Sequence, residues 1–348
     1  MNSVLRSGES SCWVCASPNL QIVKAANITE NLTSEAFAIT DSHYGQTGEI
    51  QRCQNCGFLQ CSSLDNVLSF YEQLEDVGYE ETRAERMLQA KKLVEILHKY
   101  RSIAVLKSVR ADREFQVPFM KGRQRGFGDT PSRTTAVDLG GSFGPHPFEK
   151  RSNGTLLDIG AGSGILVEAA LKMGYDAEGI EPSSWLQQQA QNYQLPVYAG
   201  SFPDATPRQT YDIVTLIDVI EHVPNPAEVV AEVAKILSTD GIVAVATPDV
   251  SSLVARILGW KWWHFRVAHI GYFNRKTLDL IMANAGFECV KMTRPTWYFP
   301  AEYLLERLAK YLPVRLPIST PAWLQKIVIP LNLGDSLLGI YQLKGKTE

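Results

Sequence analysis

The chain contains 348 residues, of which 45% are hydrophobic and 20% charged, and its formal net charge at pH 7 is -3. This composition is ordinary for a globular protein, and the length allows about two domains. The small net charge gives no global reason to expect a nucleic acid or an anionic membrane as partner. No apolar run reaches the length of a membrane span and no stretch reads as a secretion signal, so we predict a cytoplasmic protein.

Four of the six cysteines form two C-x2-C pairs, Cys12 with Cys15 and Cys53 with Cys56. Two such pairs supply four thiolates at tetrahedral reach, which is the usual arrangement of a structural zinc site. The stretch between the pairs is longer than a simple ribbon, so residues 1–65 are predicted to form a small β-rich zinc module. Four unrelated buried cysteines are the alternative.

Two further segments separate this module from the rest of the chain. Residues 66–100 are predicted to be a helical connector, because apolar residues recur at 3-4-3 spacing from Met87 to Leu97. The apolar face of this helix is expected to pack on the domain that follows. Residues 101–153 hold ten Lys or Arg and five Asp or Glu, with scattered Gly and Pro. They are predicted to be a partly ordered basic insertion.

Strands and helices alternate over residues 154–348, which predicts an α/β domain with a doubly wound, mostly parallel, seven-stranded Rossmann-like sheet. The predicted strands are 155–159, 177–181, 196–199, 211–217, 241–247, 287–292 and 336–343, and Cys289 is expected in the core. The predicted helices lie near 165–173, 184–193, 226–237 and 275–285. A helical aromatic insertion is expected at about 296–334.

The first predicted strand leads into a glycine-rich turn, in which Gly160, Gly162 and Gly164 follow Asp158 at alternate positions. Such a turn lets a ligand rest against bare backbone, and the next helix directs its N–H groups and positive dipole end at it. A dinucleotide-binding turn has the pattern G-x-G-x-x-G, whose last position here is Ile165. The pattern D-x-G-x-G-x-G resembles the S-adenosylmethionine loop of class I methyltransferases, where the aspartate holds the methionine ammonium.

Polar residues also follow the next strands of the predicted sheet. Glu181 ends the second strand, where an acid accepts the ribose hydroxyls of a nucleoside, although it is also compatible with a surface glutamate. Ser201 and Phe202 follow the third strand, where such folds contact adenine, and Phe202 is equally compatible with the core. The resemblance to class I S-adenosylmethionine-dependent methyltransferases covers about residues 150–295 and the last strand. It implies cofactor contacts from Asp158, Gly160, Gly162, Gly164, Glu181, Ser201, Phe202 and Asp218.

The cysteine pattern, followed by Phe70, Tyr71 and a helix, is similar to the zinc-ribbon extension of bacterial methyltransferases. Some of those enzymes act on deoxysugar nucleotides, or on surface-glycan and natural-product intermediates. Together the resemblances imply S-adenosylmethionine-dependent methyl transfer to a small-molecule acceptor. There are two alternatives. One is an enzyme that binds RNA through the zinc module and the basic insertion, and the other is a non-catalytic protein that binds the cofactor.

A narrower resemblance concerns a catalytic metal. In ubiquinone-type O-methyltransferases and small-RNA 3′-terminal 2′-O-methyltransferases, a similar acid-x-x-Glu-His holds a divalent metal beside the acceptor hydroxyl, and the RNA enzymes add a later histidine. This implies a Mg²⁺ or Mn²⁺ site that lowers the pKa of the hydroxyl, formed by Asp218, Glu221, His222 and His269. Asp218 departs from the pattern, because those families have the longer glutamate there. In the alternative, Glu221 and His222 only shape the loop.

The candidate proton acceptors are His222, His269 and His264, in that order, because histidine exchanges protons near neutral pH. All three are also compatible with purely structural roles. His264 lies in an aromatic segment that runs from Trp260 to Phe265. That segment is expected either to form a lid that excludes water from the site or to pack against the zinc module.

Overall fold

The computed structural model describes residues 11–28, 31–40, 44–62, 64, 67–115, 152–208, 210–309 and 327–345. Most of the predicted basic insertion and part of the predicted aromatic insertion lie outside these residues. Within the described residues, no helix is both long enough and apolar enough to cross a membrane.

The N-terminal module is built around a small antiparallel sheet. Its strands are β1 (Leu20–Lys24), β2 (Ile50–Cys53) and β3 (Leu59–Gln60), and the fourth strand, β9 (Gly271–Tyr272), comes from much later in the chain. A 3₁₀ turn at Ser34–Phe37 and helices α1 (Val67–Glu72) and α2 (Val77–Glu81) complete the module. Because β9 pairs with β3, the module and the later domain share one sheet.

Helix α3 (Arg83–Phe115) joins the module to the larger sheet. Its buried residues Leu93, Val94 and Leu97 pack in one cluster with helix α4 (Ile165–Lys172), as the spacing predicts. The helix runs past the expected boundary at residue 100, and Arg101 pairs with Asp212 at 2.7 Å. The start of the predicted insertion is therefore part of this packed helix.

The larger sheet has seven strands in the order β10-β13-β8-β7-β4-β5-β6. All are parallel except β13, which runs antiparallel to both of its neighbours. The α/β fold with a mostly parallel seven-stranded sheet is thereby confirmed. The strands are β4 (Thr155–Ile159), β5 (Asp176–Glu181), β6 (Val197–Ala199), β7 (Tyr211–Ile217), β8 (Leu237–Pro248), β10 (Phe287–Thr293) and β13 (Ser336–Leu343).

Helices α5 (Ser184–Asn192), α6 (Pro226–Ile236) and α8 (Arg275–Asn284) also pack on this sheet, while α7 (Leu253–Leu258) packs through Ala255 against the small sheet. The Ser183 hydroxyl accepts from Leu186 N and starts α5, while a capping box at Asn274 starts α8. The aromatic insertion contains strands β11 (Trp297–Pro300) and β12 (Val328–Leu331), which pair with each other, and helix α9 (Ala301–Ala309). Cys289 is exposed on β10, so its expected place in the core is wrong.

Candidate active site

A cavity of about 440 Å³ opens at the carboxyl ends of the parallel strands, where open α/β sheets bind their ligands. The N-terminal module and α3 close it from the other side. Eleven of the candidate site residues line this one cavity: Asp158, Gly160, Gly162, Glu181, Ser201, Phe202, Asp218, Glu221, His222, His264 and His269.

The glycine turn lines the cavity with the backbone of Gly160 and Gly162, which carry no side chain. Gly160 and Gly162 have φ angles of +73° and +55°, which favour glycine. A Cβ on Gly160 would come within 2.6 Å of Val219, and one on Gly162 within 2.8 Å of the Tyr79 hydroxyl. Gly164 is different, because its Cβ would meet the core side chain of Leu195 at 2.9 Å and it does not line the cavity. Gly164 packs before α4, and its expected cofactor contact stays a prediction.

Two buried carboxylates flank the turn. Glu181 accepts hydrogen bonds from the backbone N–H groups of Gly162 and Ser183, each at 2.8 Å. Asp158 accepts one from the Thr215 hydroxyl at 2.6 Å. They are only 5% and 4% exposed, and burial raises the pKa of both carboxyls to about 7. Each carboxylate retains lone pairs for a ligand in the cavity.

Asp218 follows β7 in a left-handed conformation with φ +54°. Such a backbone is costly for a residue other than glycine and is concentrated at functional sites. The side chain opens onto the cavity, but surrounding protein raises the pKa of its carboxyl to about 7, while the Arg86 guanidinium opposes this shift.

Glu221, His222 and His269 meet on one wall of the cavity. One potential ligand atom from each lies within 4.8 Å of those of the other two. Asp218 does not belong to this group, so the four-residue cluster implied by the sequence is reduced to three.

The hydrogen bonds of His222 determine which of its ring nitrogens is free. Its Nδ1 lies 2.8 Å from the carbonyl oxygen of Ala268, which can only accept, so Nδ1 carries the proton. The lone pair is then on Nε2, which lies 3.9 Å from Glu221 Oε1. Burial lowers the pKa of His222 to about 4, so the ring is neutral at pH 7.

Glu221 is only 1% exposed and its Oε2 accepts from the Thr247 hydroxyl at 2.9 Å. Its buried Oε1 has no hydrogen-bond partner among the described residues. Burial and the nearby Asp218 carboxylate raise the pKa of Glu221 well above its usual range. A cation bound between the unpartnered carboxylate oxygen and the lone pair of the neutral imidazole would stabilise the ionised form of Glu221. The three side chains therefore fit a divalent metal ion with imidazole and carboxylate ligands.

His264 lies behind this group. Its ring stacks on His269 with centroids 5.3 Å apart, and its Nε2 is 3.7 Å from Asp335 Oδ2. Burial lowers the pKa of His264 to about 3, so it too is neutral at pH 7. The structure thus brings the three predicted histidines together.

Sequence reasoning missed Tyr71 of α1 as a site residue. Its hydroxyl lies 2.5 Å from His222 Nδ1 and donates to the Ala268 carbonyl at 3.2 Å. Nearby, the Arg266 guanidinium donates to the backbone carbonyls of Ala38 and Ile39. The aromatic pair Phe70-Tyr71 was the one available signal, and it did not reveal the partner.

Comparison with known proteins shows which domain contains this cavity. Residues 142–292 match a family model described as a methyltransferase domain. The chain contains a methyltransferase domain. The ubiquinone biosynthesis O-methyltransferase of Methylococcus capsulatus is 35% identical over 100 residues, which are 26% of this chain and 42% of that protein. The enzyme of the same name from Rhodopseudomonas palustris is 30% identical over 122 residues, 33% of this chain and 44% of that protein.

The chain thus spans less than half the length of these curated relatives. Among solved structures, it is similar to an S-adenosylmethionine-dependent methyltransferase from Clostridium acetobutylicum, with 9% identity and a TM-score of 0.38. That match covers 55% of this chain and 84% of the other. A methyltransferase from Archaeoglobus fulgidus gives 16% identity and a TM-score of 0.38, over 54% and 85% of the two chains.

The four cysteines of the N-terminal module converge outside the methyltransferase domain. The Cys12 and Cys56 sulfurs are 3.5 Å apart, as are those of Cys15 and Cys53, and all four lie within 4.8 Å of one another. Tetrahedral zinc with Zn–S bonds of about 2.3 Å separates sulfurs by about 3.8 Å, so the cluster fits a structural zinc ion. The fifth cysteine of the module, Cys61, is not part of the group.

The aromatic segment packs on the N-terminal module. Trp262 is fully buried in a cluster with Phe265 and with Ile50 and Leu59 of the small sheet. Of the two expectations for this segment, packing against the module is the one that the contacts favour.

Proposed function

We propose that this protein transfers a methyl group from S-adenosylmethionine to a hydroxyl of a small-molecule acceptor bound in the 440 Å³ cavity. One observation carries the proposal: the glycine turn with Glu181 and the Glu221–His222–His269 group line the same cavity. A cofactor at the turn and an acceptor at the group would then lie side by side, as direct transfer requires.

The cofactor supplies an electrophilic methyl group on a sulfonium. For its binding, we assign the ribose hydroxyls to Glu181, the methionine ammonium to Asp158, and the adenine to Ser201 and Phe202. Gly160 and Gly162 are required at the turn, because any side chain there would collide with Val219 or Tyr79. These side chains align the reactants and exclude water.

A hydroxyl acceptor is favoured by the three-residue group and by the O-methyltransferase relatives. We propose that Glu221, His222 and His269 hold Mg²⁺ or Mn²⁺. A bound divalent metal lowers the pKa of an acceptor hydroxyl and orients its oxygen. Because the Tyr71 hydroxyl and the Ala268 carbonyl both contact Nδ1 of His222, the lone pair of this ring is on Nε2. The buried neutral histidines are available as metal ligands or as proton acceptors.

The acceptor side of the cavity favours a small molecule with an apolar part. The N-terminal module covers it with Phe37, Ile39 and Leu68, which carry no charge. Sugar nucleotides and natural-product intermediates remain candidates alongside hydroxylated aromatic compounds. RNA is the less favoured acceptor, because the formal net charge of the chain is -3 and the residues of the N-terminal module that cover the acceptor side are apolar.

Methyl transfer from isotope-labelled S-adenosylmethionine to a panel of catechols, sugar nucleotides and short RNAs tests this proposal. The assays run with added Mg²⁺, with Mn²⁺ and after treatment with EDTA. We expect labelled product from a small hydroxylated acceptor, lost with EDTA and restored by either metal. Labelling of RNA alone, or of amines alone, would contradict the proposal.

Cofactor affinity is expected to fall as the pH falls below 7. The ionised Glu181 carboxylate accepts ribose hydroxyls, and burial raises its pKa to about 7. Most of the Glu181 carboxyl groups are ionised at pH 8, but only about one-tenth are ionised at pH 6. The Kd for S-adenosylmethionine should therefore be about tenfold higher at pH 6. Asp158 titrates in the same range and adds to the effect.

Calorimetric titration of S-adenosylmethionine at both pH values measures this dependence. Glu181→Gln is expected to weaken binding at pH 8 and to flatten the pH dependence. Asp204→Asn, an exposed acid, serves as control. Equal Kd values at pH 6 and 8 for the unmodified protein would argue against ribose binding by this carboxylate.

Tyr71→Phe is expected to lower kcat by about tenfold, with the cofactor Kd unchanged, because partners that orient metal ligands typically contribute factors of this size. The ring stays packed between Phe37 and His222, while the hydroxyl that contacts His222 Nδ1 is lost. Steady-state kinetics and Mn²⁺ affinity measure the effect. Unchanged kcat and Mn²⁺ affinity would show that the hydroxyl does not position His222.

A further inference from the structure

A second cavity, of about 210 Å³, is lined by α3, by the start of β11 and by the larger sheet. The sheet forms its floor with Ile217 of β7, Ala246 of β8 and Leu338 of β13. Helix α3 supplies one wall, and Trp297 of β11 supplies another. Because α3 and β11 lie outside the matched methyltransferase domain, most of this cavity is built by other segments of the chain.

The two cavities adjoin, because Gln89, Leu93 and Ile217 line both of them. Residues at intervals of three or four lie on one face of a helix. This face of α3 begins in the first cavity, at Arg86, and continues into the second, at Ile96. A ligand in the first cavity can therefore extend into the second along α3.

The order of the strands places the second cavity on the acceptor side of the site. Glu181 ends β5 and Ser201 follows β6, so the residues assigned to the ribose and the adenine lie on one side of β7. The second cavity lies over β7, β8 and β13, on the other side. Strand β8 also carries Thr247, which contacts the proposed metal ligand Glu221. The second cavity is thus on the same side of the cofactor as the metal group.

The chemistry of the second cavity is mainly apolar. Besides the three floor residues, Leu93, Ile96 and Pro295 line it. The cations among its described lining residues already have partners. Lys92 pairs with Glu95 at 2.8 Å. Arg294 pairs with the buried carboxylate of Asp249 at 2.7 Å. The cavity therefore offers a ligand apolar surface rather than a charge.

Two features leave room in this cavity. Ala246 is a small residue in the floor, and the indole N–H of Trp297 donates to Ser336 Oγ at 3.3 Å, which fixes the ring against β13. An apolar cavity of about 150 Å³ binds a benzene ring, so this one has room for about eight carbon atoms.

We infer that the second cavity binds an apolar substituent of the methyl acceptor, an inference that rests on the proposed function. The acceptor class is then a hydroxylated compound with an alkyl or aryl substituent of up to about eight carbon atoms. Its hydroxyl lies at the Glu221–His222–His269 group, and its substituent lies between α3 and β11. Burial of the substituent stabilises the complex and favours this acceptor over the unsubstituted compound.

The test measures kcat/KM with labelled S-adenosylmethionine for alkyl catechols and alkyl glucosides of increasing chain length, from methyl to decyl. We expect kcat/KM in the methylated series to rise about threefold with each added CH2 group and to level off beyond about eight carbons. Ala246→Leu and Ile96→Phe add atoms to the second cavity. Each should lower the ratio of kcat/KM between the octyl and the methyl compound by at least about tenfold.

Leu106→Phe adds a ring at an exposed position of the same helix that lines neither cavity, so it is the matched control for Ile96→Phe. It should keep the full chain-length dependence. A kcat/KM that does not depend on chain length, or a dependence that both cavity variants retain, would overturn the inference while leaving methyl transfer established. Absence of methyl transfer to every hydroxylated acceptor, short or long, would instead refute the proposed function and the inference with it.

Discussion

Replacing Glu221 with glutamine is expected to lower kcat for methyl transfer by at least about 100-fold and to leave the Kd for S-adenosylmethionine unchanged. Loss of a partner that merely orients a metal ligand costs about 10- to 100-fold, so loss of a ligand should cost no less. Glutamine keeps the size of the side chain and can still accept from the Thr247 hydroxyl. It removes the charge from the buried oxygen that faces His222.

The readouts are kcat with Mg²⁺ or Mn²⁺, the Mn²⁺ affinity by electron paramagnetic resonance, and the cofactor Kd by calorimetry. Glu232→Gln serves as control. It removes a carboxylate of α6 that pairs with Lys235 at 2.6 Å and does not line the cavity. Wild-type turnover in Glu221→Gln, or turnover insensitive to EDTA in the unmodified protein, would reject the metal and leave the histidines with proton transfer alone.

The larger sheet is the part of the fold that sequence patterns predict best. The predicted bounds of three strands, 155–159, 211–217 and 336–343, agree with β4, β7 and β13. Apolar strands buried on both faces and short turns between elements produce a strong local signal. The strand ends also determine which side chains share an edge, so the cavity-lining acids follow from the topology.

The remaining site features depend on contacts between distant residues or on the direction in which a backbone faces. Tyr71 and His222 are 151 positions apart, and neither side chain carries a pattern that points to the other. Gly164 repeats the spacing of Gly160 and Gly162, yet it faces Leu195. A glycine pattern indicates the backbone conformation, but it does not show which neighbouring residue leaves no room for a side chain.

Replacing Cys53 with serine is expected to release the zinc ion, lower the thermal stability and reduce kcat more than about tenfold. Structural zinc contributes about 10–16 kcal/mol of binding free energy in zinc-finger peptides, comparable to the whole stability of a typical domain. The effect should reach the active site, because Cys53 and Cys56 flank the turn into β3, which pairs with β9.

That pairing continues into the proposed metal ligands. Cys61 N donates to the Ile270 carbonyl at 2.7 Å, and Ile270 N donates to the Glu221 carbonyl at 2.9 Å. His269 lies directly before this segment, and the module also supplies Tyr71 beside His222. Loss of zinc should therefore loosen both the segment that carries His269 and the cover over the acceptor side.

Metal analysis, thermal unfolding and methyl-transfer kinetics measure these effects. Cys289→Ser, which changes an exposed cysteine outside the cluster, is the matched control and should retain zinc and activity. Clearly less than one zinc per unmodified chain would refute the site itself. Full activity in a zinc-free Cys53→Ser protein would show instead that β3 and β9 hold the proposed metal ligands without help from the cysteine cluster.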